Sequence, residues 1–132
     1  MERITKETTL EGYIGWLQQL DFNVKQEGKL LVVSTEATTF IVQLLPSNNL
    51  IFRVLFRIKD DANELELLRK INEMNSNAIS GCFSIEKKDF AFHFSLIKPY
   101  GMGFEGFKVF VKYNLNLLGF ALAKSGIQEF VK

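Results

Sequence analysis

The stretch Gly81-Cys82-Phe83-Ser84-Ile85-Glu86-Lys87-Lys88-Asp89-Phe90-Ala91-Phe92-His93-Phe94-Ser95-Leu96-Ile97-Lys98-Pro99 decides the fold. Two runs flank the polar centre Glu86 to Asp89, and each alternates large apolar residues with small or polar ones, the period of a half-buried β-strand. Phe83 and Ile85 share a face on the first arm, and Phe90, Phe92, Phe94 and Leu96 share one on the second. A two- or four-residue turn at the polar centre places Phe83 opposite Phe92 and Ile85 opposite Phe90. A slip of one residue would turn one arm's rings to water, so the register has a physical cause. The spacing predicts a hairpin whose aromatic ladder belongs to a core.

The rest of the chain supplies what such a hairpin packs with. Its 132 residues suit one domain spanning 1–132, with 13 Phe against 3 Tyr and 1 Trp, an aromatic stock suited to core packing. The net charge of +1 and pI near 7.8 give no global reason to expect nucleic acid, and a charge so near zero leaves self-association unopposed. One cysteine, Cys82, and one histidine exclude an intramolecular disulfide and a Cys/His zinc cluster. Behind the N-terminal charges there is no apolar run, and no window holds 18 uninterrupted apolar residues. The expectation is a protein with no signal peptide and no membrane contact, in a reducing cytoplasm.

Ahead of the hairpin, Thr8 with Glu11 has capping-box spacing, and Leu10, Tyr13, Ile14, Leu17 and Leu20 recur at helical intervals with Trp16 on the margin. Gly12 and Gly15 each weaken that helix by roughly 1 kcal/mol relative to Ala, so it depends on docking. Strand runs follow at Val24, at 30–34, at 38–45 and at 50–58, broken by Glu27-Gly28-Lys29, Glu36-Ala37 and Pro46-Ser47-Asn48-Asn49. A three-residue loop over Ser47 to Asn49 would set Leu44, Val42 and Phe40 opposite Phe52, Val54 and Phe56. The other face would then carry Ile41 beside Leu55, Gln43 beside Arg53 and Thr39 beside Arg57. Asp60 or Asp61 can cap a second helix through Leu65, Leu68, Ile71 and Met74, stopped by Asn75, Asn77, Ser80 and Gly81.

Beyond Pro99 and Gly101 a long helix runs from Phe104 to Ser125, ended by Gly126. Its polar sector is narrow, holding Glu105, Lys108, Lys112, Asn116 and Gly119. Val109, Tyr113, Leu117 and Phe120 lie on one side of it, and Phe107, Val111, Leu115, Leu118 and Leu122 on the other. That arc exceeds the roughly 100° needed for one contact, so one side packs on the sheet and the other must meet the first helix, a second subunit or a ligand.

Four constellations invite a chemical reading. Cys82 and His93 fall opposite each other on the back of the hairpin, which suits a nucleophile and its base, but Ser84, Ser95, Ala91 and Glu86 around them supply neither an orienting group nor an oxyanion pocket. Gly101, Gly103 and Gly106 spell the dinucleotide fingerprint between a strand and a helix, yet no second parallel strand can follow, and a turn with a close helix start explains them better. Asp60 and Asp61 read as caps, with no EF-hand or HExxH, so no metal or other cofactor is expected. Arg53, Arg57 and Lys59 stripe one strand without interleaved aromatics, which argues against nucleic acid. With Ile41 and Leu55, Arg53 and Arg57 form the candidate partner surface.

The order helix, three-stranded meander, helix, hairpin, long helix resembles that of the bacterial YbjN-like proteins and, at the level of fold, the type III secretion chaperones. Leu68-Arg69-Lys70-Ile71-Asn72-Glu73-Met74-Asn75 is similar to the end of that family's helix, and Gly81-Cys82-Phe83-Ser84-Ile85 stands in the place of its next strand. The resemblance covers about Thr8 to Ser125. It implies a non-enzymatic, dimeric module whose relatives act as secretion chaperones or as regulators, and it brings no catalytic residues with it.

The sequence therefore sets out an α+β fold with a single antiparallel β-sheet, a three-stranded meander plus a hairpin, packed against helices in the order α-β-β-β-α-β-β-α. The expected function is a non-enzymatic protein-binding or regulatory module, chaperone-like and homodimeric, with another protein or peptide as a further partner. The alternative is a carrier of an apolar small molecule between the final helix and the sheet.

Overall fold

The computed structural model describes residues 1–132. Three α-helices, α1 (Leu10–Gln19), α2 (Glu64–Asn77) and α3 (Phe104–Ser125), accompany six strands, β1 (Asn23–Glu27), β2 (Leu30–Ser34), β3 (Thr39–Leu44), β4 (Leu50–Arg57), β5 (Cys82–Glu86) and β6 (Asp89–Leu96). The strands form one sheet in the order β1-β2-β3-β4-β6-β5. This is the expected α+β class with one more strand. The meander has four strands because Asn23–Glu27 pairs along β2 through a two-residue turn, Gly28-Lys29, with Gly28 at φ 62°. Apart from Val24 the strand is solvent-exposed along its length, so it carries almost none of the alternation by which a buried strand announces itself.

Two compact units are built from this chain, the first from residues 1–53 and 95–111, the second from residues 54–94 and 112–132. In the first, Tyr13, Trp16 and Leu17 of α1 are fully buried, and Trp16 meets Phe104 and Phe107 at ring distances of 5.8 and 5.2 Å. Trp16 is thus central to its helix's packed face and not on its margin. Phe107 also reaches Tyr13 and Phe52, and Phe40 lies between Phe22 and Phe52. Burial, with Tyr100 as a lesser contributor, pushes the Tyr13 phenol up to about 12.

Local chemistry at the start of α1 departs from the capping box. Thr8 Oγ1 accepts the Thr5 N–H at 2.8 Å, which closes the preceding turn, while Thr9 is the N-cap and makes no side-chain bond. Gly12 has a packing reason. A Cβ there would lie 2.8 Å from the Met1 sulfur, and the Met1 carbonyl in turn accepts the Trp16 indole N–H at 3.0 Å.

The β3–β4 hairpin keeps the expected faces but shifts its pairs by two residues: Val42 faces Phe52, Leu44 faces Leu50, and Ile41 faces Arg53, with Gln43 beside Ile51. Its loop is Pro46-Ser47-Asn48, closed by Leu45 N–H to Asn49 O and by Asn48 N–H to Leu45 O, both 2.9 Å. Proline's fixed φ suits the second position of the turn, and Asn48 takes the left-handed conformation at φ 68° that ends such a loop. Those two preferences outweigh the alternative loop, and an even shift leaves every side chain on its expected face.

The second unit holds the hairpin. Phe83 faces Phe92, Ile85 faces Phe90 and Cys82 faces His93, across a two-residue Lys87-Lys88 turn with Lys87 at φ 58°. Phe83 and Phe90 stack with an interplanar angle of 2°, Phe90 stacks on Phe56, and Phe92 continues the cluster to Phe94. Ile58 N–H donates to Lys88 O and Arg57 pairs with Asp89 at 3.1 Å, tying the end of β4 to the start of β6.

Against this layer α2 buries Leu67, Ile71 and Met74, whereas Leu65 and Leu68 are exposed, a rotation of about a sixth of a turn from the expected face. Asn63 Oδ1 accepts the Glu66 N–H at 3.0 Å, so neither Asp60 nor Asp61 caps the helix, and Asp60 pairs with Lys132 instead. α3 ends at Gly126, φ 74°, and a final 3-10 turn, Ile127–Phe130, buries Ile127 before Val131 bridges to Ile58.

Two outcomes test this packing. At Gly81, φ 78°, a Cβ would lie 2.6 Å from the Phe92 ring, whereas at Gly28, φ 62°, it would meet open space. Gly28→Ala therefore carries only the left-handed penalty of about 1–2 kcal/mol, while Gly81→Ala adds roughly 1–3 kcal/mol of overpacking; urea unfolding of both variants reads the difference. Because the folded Tyr13 pKa lies above the unfolded value, its contribution is complete below about pH 10 and is lost as pH rises towards 12. Tyr13→Phe should accordingly flatten the fall in denaturant midpoint between about pH 10 and 12.

Candidate functional site: an open apolar groove in the second unit

None of the sequence's chemical constellations assembles a reaction centre. Cys82 does stand opposite His93, but its Sγ lies 3.6 Å from the Phe83 carbonyl and the His93 Nε2 lies 3.4 Å from Ser84 Oγ, so the imidazole addresses the serine and not the thiol. No three His, Cys, Asp or Glu side chains converge as a metal site would require. The glycine-rich loop is engaged by the chain's own N-terminal segment: Gly101 N–H donates to Ile4 O at 2.7 Å, Ile4 N–H donates to Met102 O at 2.9 Å, and the Arg3 guanidinium donates to Gly101 O. Its backbone groups answer a peptide strand where the fingerprint would need them for a phosphate.

Of the candidate partner residues, Ile41 and Arg53 are cross-strand neighbours and both are half-buried. Leu55 and Arg57 follow Arg53 at alternate positions of β4 and are exposed, with Arg57 engaged by Asp89.

A concave feature of the second unit lies elsewhere. A groove of about 510 Å³ opens between the C-terminal turns of α2 and the C-terminal half of α3, floored by Met74 and Phe83 and walled by Leu117, Phe120 and Ala121. Ile79, 85% exposed, stands on its lip, and Phe120 is 58% exposed with Lys124 Nζ 4.4 Å above its ring. Glu73 on the α2 wall and Lys124 on the α3 wall are its charged residues.

Two devices shape the lip. The Ser80 hydroxyl donates to Asn114 Oδ1 at 2.8 Å, and Asn114, 1% exposed, is the buried polar residue of α3. Gly81 then turns the chain into β5. Further along α3, Val109 and Tyr113 are exposed like Phe120, while Phe107, Val111 and Leu118 are buried. The expected second apolar side of the helix is real, and no segment of the chain covers it.

Sequence reasoning identified Phe120 and Phe83 as apolar but not as walls of one groove. Ile79 and Asn114 gave no signal of a role, since one sits in a loop without periodicity and the other is a polar residue within an apolar helix.

No family model matches the chain, and no curated protein matches it by sequence. Among solved structures, the crystal structure of YbjN from E. coli is similar at 14% identity and a TM-score of 0.77, over 95% of this chain and 96% of that one. The chain thus has a YbjN-like fold, as its order of elements implied. No helix is long and apolar enough to cross a membrane.

Ser80→Ala removes the hydroxyl donor to the buried Asn114 and should cost about 0.5–1.5 kcal/mol in chemical denaturation. Faster exchange of the amides at 78–81 would report the loosened lip.

Proposed function

We propose that this chain is a non-enzymatic protein-binding module, regulatory or chaperone-like, that works as a homodimer and engages protein through the groove and the open side of α3. The observation that carries this reading is Phe120, a large ring on a groove wall with more than half its surface in water. Adjoining apolar groups of this size on a soluble surface mark an interaction site. The groove is also self-complementary. A two-fold axis along it sets the α3 wall of one copy against the α2 wall of the other, so Lys124 meets Glu73 of the second copy and Glu73 meets its Lys124.

YbjN is described as "a putative transcription regulator", which supports a regulatory role here. A net charge of +1, with Arg57 committed to Asp89, supports regulation through protein contact over direct binding of nucleic acid. The row of Ile41, Arg53, Leu55 and Arg57 offers the same module a second surface.

A carrier of an apolar small molecule is the other reading, because about 510 Å³ falls within the roughly 300–1,000 Å³ of small-molecule sites and Phe83 brings the sheet to the groove floor. Light scattering of the eluting protein separates the two. The wild type should run as a dimer, and Phe120→Glu should raise the dimer dissociation constant at least tenfold while leaving the fold intact. A wild type that stays an inert monomer at all concentrations overturns the module. Native mass spectrometry showing a retained apolar ligand that Phe120→Glu releases would favour the carrier.

A further inference from the structure

β5 ends the sheet, with β6 on one side and no strand on the other. Such an edge presents a row of backbone donors and acceptors to any strand that approaches. Here the first of those groups are taken by a side chain. Phe83 N–H donates to Asn75 Oδ1 at 2.7 Å, and Asn75 Nδ2 donates to Phe83 O at 2.9 Å. The Asn75 amide, one acceptor and one donor in a plane, reproduces what the peptide group of a neighbouring strand would offer. Asn75 lies in the last turn of α2, so the same two bonds clip that turn over the strand.

We infer that the Asn75–Phe83 clip is a latch closing the outer edge of β5, and that this edge, once unlatched, is a strand-pairing surface for β5 of a second copy of this chain. The partner follows from the strand's own pattern. By alternation, the backbone groups of Ile85 point the same way as those of Phe83. An antiparallel, two-fold pair centred on Ser84 therefore lets Phe83 of one copy exchange both bonds with Ile85 of the other. That register joins Phe83 and Ile85 side chains on one face and sets Cys82 against Glu86 on the other, with no like charges opposed. The two Ser84 residues become a non-hydrogen-bonded pair, the closest spacing in an antiparallel sheet.

The latch borders the groove. Met74 precedes Asn75, and Phe83 both lines the groove and carries the clipped backbone groups. The edge association is a separate contact from the groove-mediated dimer proposed above, since it joins backbone groups of β5 and not the facing walls of α2 and α3.

The test places a thiol at the centre of the inferred register, with Ser84→Cys in a Cys82→Ser background. Under mild oxidation this protein should remain uncrosslinked while Asn75 is intact. Adding Asn75→Ala should yield a disulfide-linked dimer and speed exchange of the Phe83 amide at least tenfold. A folded Asn75→Ala variant that neither crosslinks nor loses Phe83 protection overturns the inference. Failure of the groove reading would leave this readout unaffected, since the crosslink is read at position 84 of β5 and the groove dimer at Phe120 of α3.

If Asn75→Ala does not fold, Asn75→Asp decides. A protonated carboxyl supplies both a donor and an acceptor and keeps the latch, whereas the carboxylate opposes the Phe83 carbonyl. The Phe83 protection factor should be at least tenfold higher at about pH 4 than at about pH 8. Equal protection at both overturns the latch.

Discussion

Phe83 against Phe92, with ring centroids 4.7 Å apart across the β5–β6 pair, is the contact from which the second unit is laid out. It holds because both strands have one face of rings and one of small or polar groups, so only registers of one parity keep all the rings dry. The Lys87-Lys88 turn selects one register of that parity. Everything nearby inherits the choice: the stacking of Phe83 on Phe90, the placing of Cys82 opposite His93, the tight fit of Gly81 under Phe92, and the presentation of the Phe83 backbone to Asn75. The same ring then floors the groove, so this core contact and the candidate binding surface share a residue.

The features most suggestive of chemistry in the sequence have structural uses. The backbone of the glycine-rich loop holds the N-terminal segment, with Arg3 bridged to Gly103 and Ile4 bonded to both Gly101 and Met102. Asp60 pairs with the C-terminal lysine in place of capping a helix. His93 turns towards Ser84. In the first two cases a local pattern met a longer-range partner that was invisible to it. The segments concerned there are the two ends of the chain, which have no periodicity of their own and take their order from the groups they meet.

How much could be read varies with the range of the interaction involved. α3 is bounded as its pattern indicates, from Phe104 to Ser125 with Gly126 in the left-handed conformation, because periodicity and a glycine terminator are local. The β3–β4 pairing keeps its faces but moves by two residues, because alternation determines parity while Pro46 and Asn48 choose among registers of equal parity. β1 was undercounted because it is solvated on almost all sides. The groove drew no signal at all: its walls come from α2, a loop, β5 and α3, and no window of sequence contains them together.

By itself, then, the sequence determined the α+β class, the order of elements apart from β1, the hairpin's register and the presence of two apolar sides on α3. These depend on spacing within one element or between two adjacent ones, where the chain's geometry leaves few solutions. Tertiary structure alone decided which side of α3 is buried, that Leu67 rather than Leu65 turns inward on α2, and that Asn75 answers the backbone of Phe83. Those outcomes depend on contacts between residues distant in sequence, and a helix with two adequate apolar sides is indifferent to which is covered until the sheet and its neighbours have taken one.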